Sequence, residues 1–173
     1  MISQSQKTTF LIVLMTSVAG CGYMIGSPPV QGVRTVHVPV FQSDSHRRNL
    51  DYLLTEAVQK EIKTRTPYRL TDAETADTIL KGRIIDVRKT PLSETRFDDP
   101  RELQLQVGAE VTWIERATGR ILQQYVFPVG PELLHHASQA SFAPEAGHSL
   151  ATAQQESTSR LASQIVDLME AGW

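Results

Sequence analysis

The chain is poor in the residues that most often cross-link or anchor small exported proteins. It has one cysteine, Cys21, among its 173 residues, so no disulfide can form within it. Aromatic residues make up only 6% of the composition. No apolar run reaches the roughly 20 residues that a transmembrane helix requires. A hydrophobic core must therefore stabilise the fold alone.

Neither sign of charge dominates the sequence. Lysine and arginine total 17, aspartate and glutamate total 19, and the formal net charge is −2. Proteins that bind nucleic acid through the phosphate backbone usually carry a strong positive field. We therefore expect no nucleic-acid partner.

The motifs of the common enzyme classes are also missing. The sequence has no Gly-x-Ser-x-Gly elbow, no glycine-rich phosphate loop and no His-Glu-x-x-His helix. Asp98-Asp99-Pro100 is more typical of a turn than of an acid/base pair. We expect no enzymatic activity, no catalytic residue and no cofactor. An exported hydrolase that uses Asp98 or a histidine is the alternative to test.

Three histidines, His135, His136 and His148, are candidates for a metal site. Adjacent histidines point in different directions along an extended chain, and no acidic residue stands at a helpful spacing. The sequence therefore predicts loop histidines and no metal.

The N-terminal residues have the three-part layout of a secretory signal peptide. Lys7 supplies positive charge, an apolar centre runs from Phe10 to Met15, and small residues precede Cys21. Val18-Ala19-Gly20-Cys21 resembles a bacterial lipobox, which implies that the Cys21 thiol receives a diacylglycerol. The alternative is a free thiol after an ordinary signal peptide. We predict a cleaved signal over residues 1–20, a flexible tether over 21–32 rich in glycine and proline, and one domain over 33–173.

Hydrophobic periodicity predicts an α+β domain. A strand over 33–41 precedes a helix that begins near Leu50, is capped by Ser45 or Asn49, and ends at Thr66-Pro67. A strand over 78–87, a hairpin over 103–127 and a C-terminal helix follow. The order β-α-β-β-β-α favours a two-layer α/β sandwich, with a four-stranded mixed sheet and both helices packed on one face.

Some single residues add detail to this prediction. Pro39 lacks an N–H, which favours an edge position or the last paired residue of its strand. Gly82 inside a strand indicates a bulge or a close backbone approach. Residues 88–101 are predicted to be a charged loop. The first half of the last helix is weakly apolar, which suggests that it runs past the sheet edge or covers something other than the core.

A cluster of basic residues surrounds the predicted loop. We select Arg83, Arg88 and Lys89 as candidate contacts for phosphate groups, because guanidinium groups match phosphate geometry. The alternative, which the pattern favours, is a solvated surface whose charges pair with neighbouring acidic residues such as Asp86 and Glu94.

The order of several short motifs resembles the lipopolysaccharide-assembly lipoprotein family, the LptE-like proteins. The motifs are Cys21-Gly22-Tyr23, Val38-Pro39-Val40-Phe41, Leu54-Thr55-Glu56-Ala57, the run from Ala76 to Gly82, Thr118-Gly119-Arg120 and a final helix that closes on Trp173. The resemblance covers essentially the whole chain after the signal, and it implies an α/β sandwich.

The resemblance also implies a function. It predicts a lipoprotein anchored through Cys21 at the periplasmic side of the outer membrane, and Gly22 after the cysteine fits this membrane. There it plugs an LptD-like β-barrel, assists the assembly of that barrel, and helps lipopolysaccharide reach the outer leaflet. The alternative is another outer-membrane lipoprotein that serves a cell-wall synthase or a secretion or lipid-transport complex.

Overall fold

The computed structural model describes residues 32–45, 49–94, 100–129, 139–143 and 147–170. Seven strands and two helices lie within these ranges. They are β1 (Thr35–His37), β2 (Gln42–Ser43), α1 (Leu50–Arg65), β3 (Arg69–Leu70), β4 (Thr78–Glu94), β5 (Pro100–Glu115), β6 (Ile121–Phe127), β7 (Gln139–Phe142) and α2 (Leu150–Glu170). The signal, Cys21, the tether up to residue 31, Asp98, Asp99, His135, His136 and Trp173 lie outside the described residues.

A long antiparallel hairpin of β4 and β5 forms the centre of the sheet. Its register runs from Thr78 opposite Glu115 to Glu94 opposite Pro100, with register shifts between Ile84 and Asp86 and beyond Pro91. The predicted loop over 88–101 is therefore wrong, because most of it continues the two strands. Pairing of β4 with β5 satisfies the backbone of Arg88 and Lys89, and the side chains of both are exposed.

Short strands complete the sheet in the order β3-β1-β4-β5-β6. The strand β1 is parallel to both β3 and β4, β2 joins β4 farther along, and β7 pairs with β5. The prediction of four strands is wrong, since the described residues alone contribute seven strands to the sheet. The three additional strands have two to four residues each, which is too short for a period-two pattern to stand out.

One hydrophobic core lies between the sheet and the two helices. From β4 and β5 it receives Leu80, Ile84 and alternate residues from Leu105 to Trp113. The helices contribute residues at three- and four-residue steps, including Leu54, Val58, Leu161 and Ile165. The prediction of a mixed α+β domain with two helices and a mixed sheet is confirmed.

The helix α1 shows how local sequence sets its ends. Asn49 is the N-cap residue, as one alternative predicted, but it has φ 66° and its side chain makes no capping hydrogen bond. At the other end the Thr66 N–H donates to the carbonyl of Ile62, and Thr66 is extended before Pro67. The predicted end of the helix is confirmed.

The first half of α2 packs on the far part of the central hairpin. Ala153, Ser157 and Thr158 are buried, and the hydroxyl groups of Ser157 and Thr158 bond back to the carbonyl of Gln154. Arg160 donates to the carbonyl of Gln139 in β7 over 2.6 Å. This weakly apolar half therefore covers the extension of the sheet that β7 and β5 form, which the sequence had not predicted.

Candidate functional site: a basic groove on the open face of the sheet

The sheet face opposite the helices, called the open face below, carries mostly polar side chains. Residues of β4 and β5 alternate between the two faces, so Lys81 and Arg83 lie opposite Thr112 and Glu110 there. Gln104 and Gln106 of β5 lie on the same face as Glu110, because they alternate with the core residues from Leu105 to Trp113.

A groove of about 520 Å³ lies on this face. Its lining residues are Pro39, Val40, Gln42, Lys81, Gly82, Arg83, Glu110 and Thr112. The floor is formed by β4 and β5, and the wall by the segment that connects β1 to β2. Because β1 ends at His37 and β2 begins only at Gln42, Pro39 and Val40 take no part in the pairing with β4.

The missing N–H of Pro39 explains why strand pairing stops where the wall begins. Pro39 has no N–H to donate to a neighbouring strand, and the β1 pairing ends two residues before it. The prediction of an edge position for this strand is wrong, since β1 lies between β3 and β4. The prediction that pairing would stop at the proline is close to what is observed.

Helix α1 holds the wall in place from the core side. The Phe41 N–H donates to the Thr55 hydroxyl over 3.0 Å, and the Gln59 amide donates to the Val38 carbonyl over 3.2 Å. These two side chains replace the backbone partners that the segment loses when it leaves β4.

A glycine permits the close approach of the wall to the sheet. A Cβ at Gly82 would lie 2.5 Å from two ring carbons of Phe41, which is buried. The prediction of a close backbone approach at Gly82 is thus confirmed, and the bulge lies instead between Ile84 and Asp86.

The groove contains two cations and one anion. Arg83 donates to the Gln42 amide oxygen over 3.1 Å and lies 3.8 Å from an Asp44 carboxylate oxygen. Glu110 accepts a hydrogen bond of 3.0 Å from Gln124 on β6. Within the described part of the chain, Lys81 has no ion-pair partner. The ammonium group of Lys81 is therefore available to a ligand.

The three basic residues selected from the sequence are not brought together. Arg83 lines the groove, whereas Arg88 lies beyond the bulge and pairs with Asp86 over 2.7 Å. Lys89 is opposite Leu105, on the helix side, and its ammonium group lies 5.7 Å from the centre of the Phe142 ring. Pairing of Arg88 with Asp86 agrees with the alternative of a solvated, internally paired surface.

Lys81 was missed by the analysis of the sequence. The signal that identifies it is the alternation of Lys81 and Arg83 with Leu80, Gly82 and Ile84, which places both cations on one face of a strand. Closeness in the sequence favoured Arg88 and Lys89 instead. Closeness alone does not tell on which face of the sheet each side chain lies.

Glutamines form a second polar feature farther along the open face. The Gln104 amide donates to Gln139 over 2.6 Å, and the Gln106 amide donates to Gln104 over 3.0 Å. Gln106 and Gln139 are buried, so this ladder links β5 to β7 with little access to solvent.

No cluster of metal-binding side chains occurs among the residues that the structure describes. His148 is exposed, and the Nδ1 atom of His37 lies 3.0 Å from the Thr71 carbonyl oxygen. A search of the described helices for one long and apolar enough to cross a membrane also finds none.

A family model described as LptE, lipopolysaccharide-assembly, matches residues 33–170. The chain belongs to this family. The resemblance that the sequence motifs indicated is confirmed, and the match includes every element that forms the groove. A comparison with curated protein sequences finds no match.

Solved structures share the fold of this LptE-family chain. A crystal structure from Xanthomonas campestris aligns with a TM-score of 0.58 at 10% identity, over 85% of this chain and 91% of its own. A hypothetical protein from Chlamydia trachomatis aligns with a TM-score of 0.54 at 10% identity, over 80% and 96%. A PelC dodecamer from Paraburkholderia phytofirmans aligns at 0.52 and 12% identity, over 86% and 96%. At such identities the likeness concerns the fold alone.

Proposed function

We propose that this chain is an outer-membrane lipoprotein that partners and plugs an LptD-like β-barrel and assists lipopolysaccharide insertion into the outer leaflet. The observation that carries the proposal is the match of the lipopolysaccharide-assembly family over residues 33–170. In this role the protein binds and assembles, and catalysis is not required of it.

The sequence before the domain supports the proposed location. Lipidation of Cys21 would attach the chain to the membrane, and two or more acyl chains hold a protein there stably. Residues 22–32, when fully extended, reach on the order of 35–40 Å, so the domain can approach a barrel in the same membrane.

The groove is the proposed contact for the phosphate groups of lipopolysaccharide. Lys81 and Arg83 offer an ammonium and a guanidinium group side by side, and both bind phosphate oxygens well. Val40, which is half exposed, adds an apolar surface at the groove wall. This combination fits an amphiphile with phosphorylated sugars and acyl chains better than a purely polar ligand.

Co-purification tests the partner. The full chain with an affinity tag at its C-terminus is extracted from outer membranes in mild detergent, and the recovered proteins are identified by mass spectrometry. We expect to recover a large β-barrel protein in an amount near that of the tagged chain. With Cys21→Ala, this β-barrel protein should no longer be recovered together with the tagged chain from the membrane fraction. Recovery without any β-barrel protein, or with a cell-wall synthase instead, would contradict the proposal.

Charge reversal tests the groove separately. Lys81→Glu with Arg83→Glu is expected to weaken binding to lipopolysaccharide micelles at least about tenfold, since two attractive contacts become repulsive. Lys60→Glu with Lys63→Glu makes the same charge change on exposed positions of α1 and should leave binding within about twofold. Equal losses in both pairs would show a nonspecific charge effect and remove the groove from the proposal.

A second pair tests the residues that the sequence indicated. Arg88→Glu with Lys89→Glu is measured in the same assay, and unchanged binding removes these two positions from the contact surface. Joint replacement of His135, His136 and Asp98 by alanine should leave lipopolysaccharide export unchanged. A loss of export with a folded product would instead favour the hydrolase alternative.

A further inference from the structure

A carboxylate lies in the groove beside the two cations. Glu110 stands directly opposite Arg83 in the β4–β5 pairing and diagonally across from Lys81, which is opposite Thr112. Opposite charges at such positions on neighbouring strands attract each other. Within the described part of the chain, however, neither Glu110 nor Lys81 forms a salt bridge. The groove therefore holds a carboxylate that no described cation neutralises.

Two contacts keep Arg83 and Glu110 apart. Arg83 donates to the Gln42 amide oxygen over 3.1 Å and lies 3.8 Å from an Asp44 carboxylate oxygen, so its guanidinium group is held at the wall. Gln124 on β6 donates to one oxygen of Glu110 over 3.0 Å. A carboxylate has two accepting oxygens, and the second oxygen of Glu110 can accept a hydrogen bond from a ligand.

The position of Glu110 restricts the kind of ligand that suits the groove. For a bare phosphate group the carboxylate is unfavourable, because like charges repel each other. A ligand that also carries a hydrogen-bond donor beside its phosphate gains a contact instead, and hydrogen bonds to a carboxylate are among the stronger ones. A sugar hydroxyl and an ammonium group are the two common donors found next to phosphate in lipids.

We propose that the groove binds one phosphorylated sugar, with the phosphate at Lys81 and Arg83 and a hydroxyl of the sugar donating to Glu110. Glu110 then determines specificity, because it distinguishes a phosphate on a sugar from a phosphate without a neighbouring donor. This inference rests on the proposed function, since it specifies which part of lipopolysaccharide the groove contacts.

The size and the neutral lining of the groove agree with a sugar. Its volume of about 520 Å³ falls within the range of about 300–1,000 Å³ that small-molecule sites have. Thr112 contributes a hydroxyl group to the lining. Gln42 accepts from Arg83 through its amide oxygen, which leaves its amide N–H groups to donate. These groups suit the further hydroxyls of a sugar ring.

Charge favours a sugar over a headgroup with an ammonium group. The lining has two positive residues, Lys81 and Arg83, and one negative residue, Glu110, so one net positive charge remains. An ammonium group could reach Glu110 only beside these cations, which repel it. A neutral hydroxyl donates to Glu110 without this repulsion, and the phosphorylated sugar keeps its full negative charge for the cations.

Two small phosphate esters test the preference. Glucose 1-phosphate carries hydroxyls beside its phosphate, whereas methyl phosphate carries none. Binding of each ester to the full chain, purified in detergent, is measured by NMR titration at constant ionic strength, because salt screens these contacts. We expect glucose 1-phosphate to bind about three- to tenfold more tightly, as one additional hydrogen bond allows.

Variants at position 110 test the residue itself. Glu110→Ala removes the carboxylate, so methyl phosphate should bind more tightly and the preference for glucose 1-phosphate should fall below about twofold. A gain in methyl phosphate binding cannot result from a loss of folding. Glu110→Gln keeps a hydrogen-bonding side chain and should retain part of the preference. Glu56→Ala, at an exposed position of α1, is the matched control and should leave both affinities unchanged.

The two esters also separate this inference from the proposed phosphate contact. Lys81→Glu with Arg83→Glu should abolish binding of both esters. If the unchanged chain binds both equally, or if Glu110→Ala keeps the full preference, the sugar contact at Glu110 is overturned and the phosphate contact remains. If the unchanged chain binds neither ester, the phosphate contact fails as well. Tighter binding of phosphoethanolamine than of glucose 1-phosphate would assign Glu110 to an ammonium group and overturn the inference.

Discussion

The ring of Phe41 occupies the space that a side chain at position 82 would fill. A Cβ on Gly82 would lie 2.5 Å from two of its ring carbons, although Gly82 is in the middle of β4 and has an ordinary strand conformation. The glycine is therefore required by packing and not by backbone freedom. Through this contact the wall of the groove is held against its floor.

Adding a methyl group at position 82 should destabilise the domain. In Gly82→Ala the Phe41 ring or the strand must shift, and overpacking of a buried site typically costs about 1–3 kcal/mol. Urea unfolding followed by tryptophan fluorescence measures this loss. The double variant Gly82→Ala with Phe41→Leu should lose less than the sum of the two single changes. Additive losses would show that the two positions do not meet.

Removing the Thr55 hydroxyl should also destabilise the wall. The hydroxyl accepts the Phe41 N–H at a buried position and donates to the Asp51 carbonyl over 2.7 Å. Thr55→Val keeps the shape but leaves the Phe41 N–H without its acceptor, which typically costs about 1–3 kcal/mol. Thr55→Ser retains the hydroxyl and should lose clearly less in the same urea experiment. A valine variant as stable as the serine variant would contradict this role.

The elements with strong periodicity were predictable from the sequence. The apolar stripe of α1 runs from Leu50 to Ile62, and the apolar alternation of β5 runs from Leu103 to Trp113. In both elements the apolar residues of the sequence pattern are the ones that pack in the core. The strands β2, β3 and β7 have too few residues to carry a period, and their pairing depends on where β4 and β5 lie. The length of β4 was underestimated because Arg88, Lys89 and Pro91 are typical of loops.

The candidate site was only partly predictable. Arg83 lines the groove, whereas Lys89 lies on the other face of the sheet. The selection of these residues as phosphate contacts stays a prediction. The bulge between Ile84 and Asp86 changes which residues face which side, and no residue in the sequence marks it clearly. The wall depends on contacts of Gly82 with Phe41 and of Thr55 with Phe41, which join residues far apart in the sequence. The lipidation of Cys21 stays a prediction.

An ion-pair network should link the ends of the two helices in a salt-dependent way. Arg65 at the end of α1 donates to Asp167 over 2.5 Å and to Glu170 over 2.7 Å, both on α2. The hydrogen bond to Asp167 is the main cause of the raised Arg65 pKa. Arg65→Met should lose about 0.5–1 kcal/mol of unfolding free energy at low ionic strength, since all three groups are partly exposed.

Salt provides the control for this network. At 1 M NaCl the Debye length falls to about 3 Å, so the difference between the Arg65→Met variant and the unchanged chain should shrink. Urea unfolding at low salt and at 1 M NaCl measures this difference in unfolding free energy. A difference that persists at high salt would assign the loss to packing of the Arg65 side chain.

The junction of β1 and β4 should weaken in acid because of Asp77. One carboxylate oxygen of Asp77 accepts the N–H groups of Arg34 and Thr35, each over 2.9 Å, and the Asp77 N–H donates to the Thr35 hydroxyl. These bonds, led by the one from Arg34, hold the Asp77 pKa below its ordinary value of 3.8. The unfolded chain therefore binds a proton at Asp77 more readily than the folded chain does.

The sign of the pH dependence follows from this difference. Ionised Asp77 contributes stability at pH values above its ordinary pKa, and that contribution is lost as the pH falls through the lowered pKa of the folded chain. In Asp77→Asn, which cannot ionise, the free energy of unfolding should be lower at neutral pH and should fall less steeply below about pH 4. Urea unfolding at a series of pH values from neutral into acid measures both slopes. Parallel slopes for the two chains would show that Asp77 does not couple protonation to the attachment of β1.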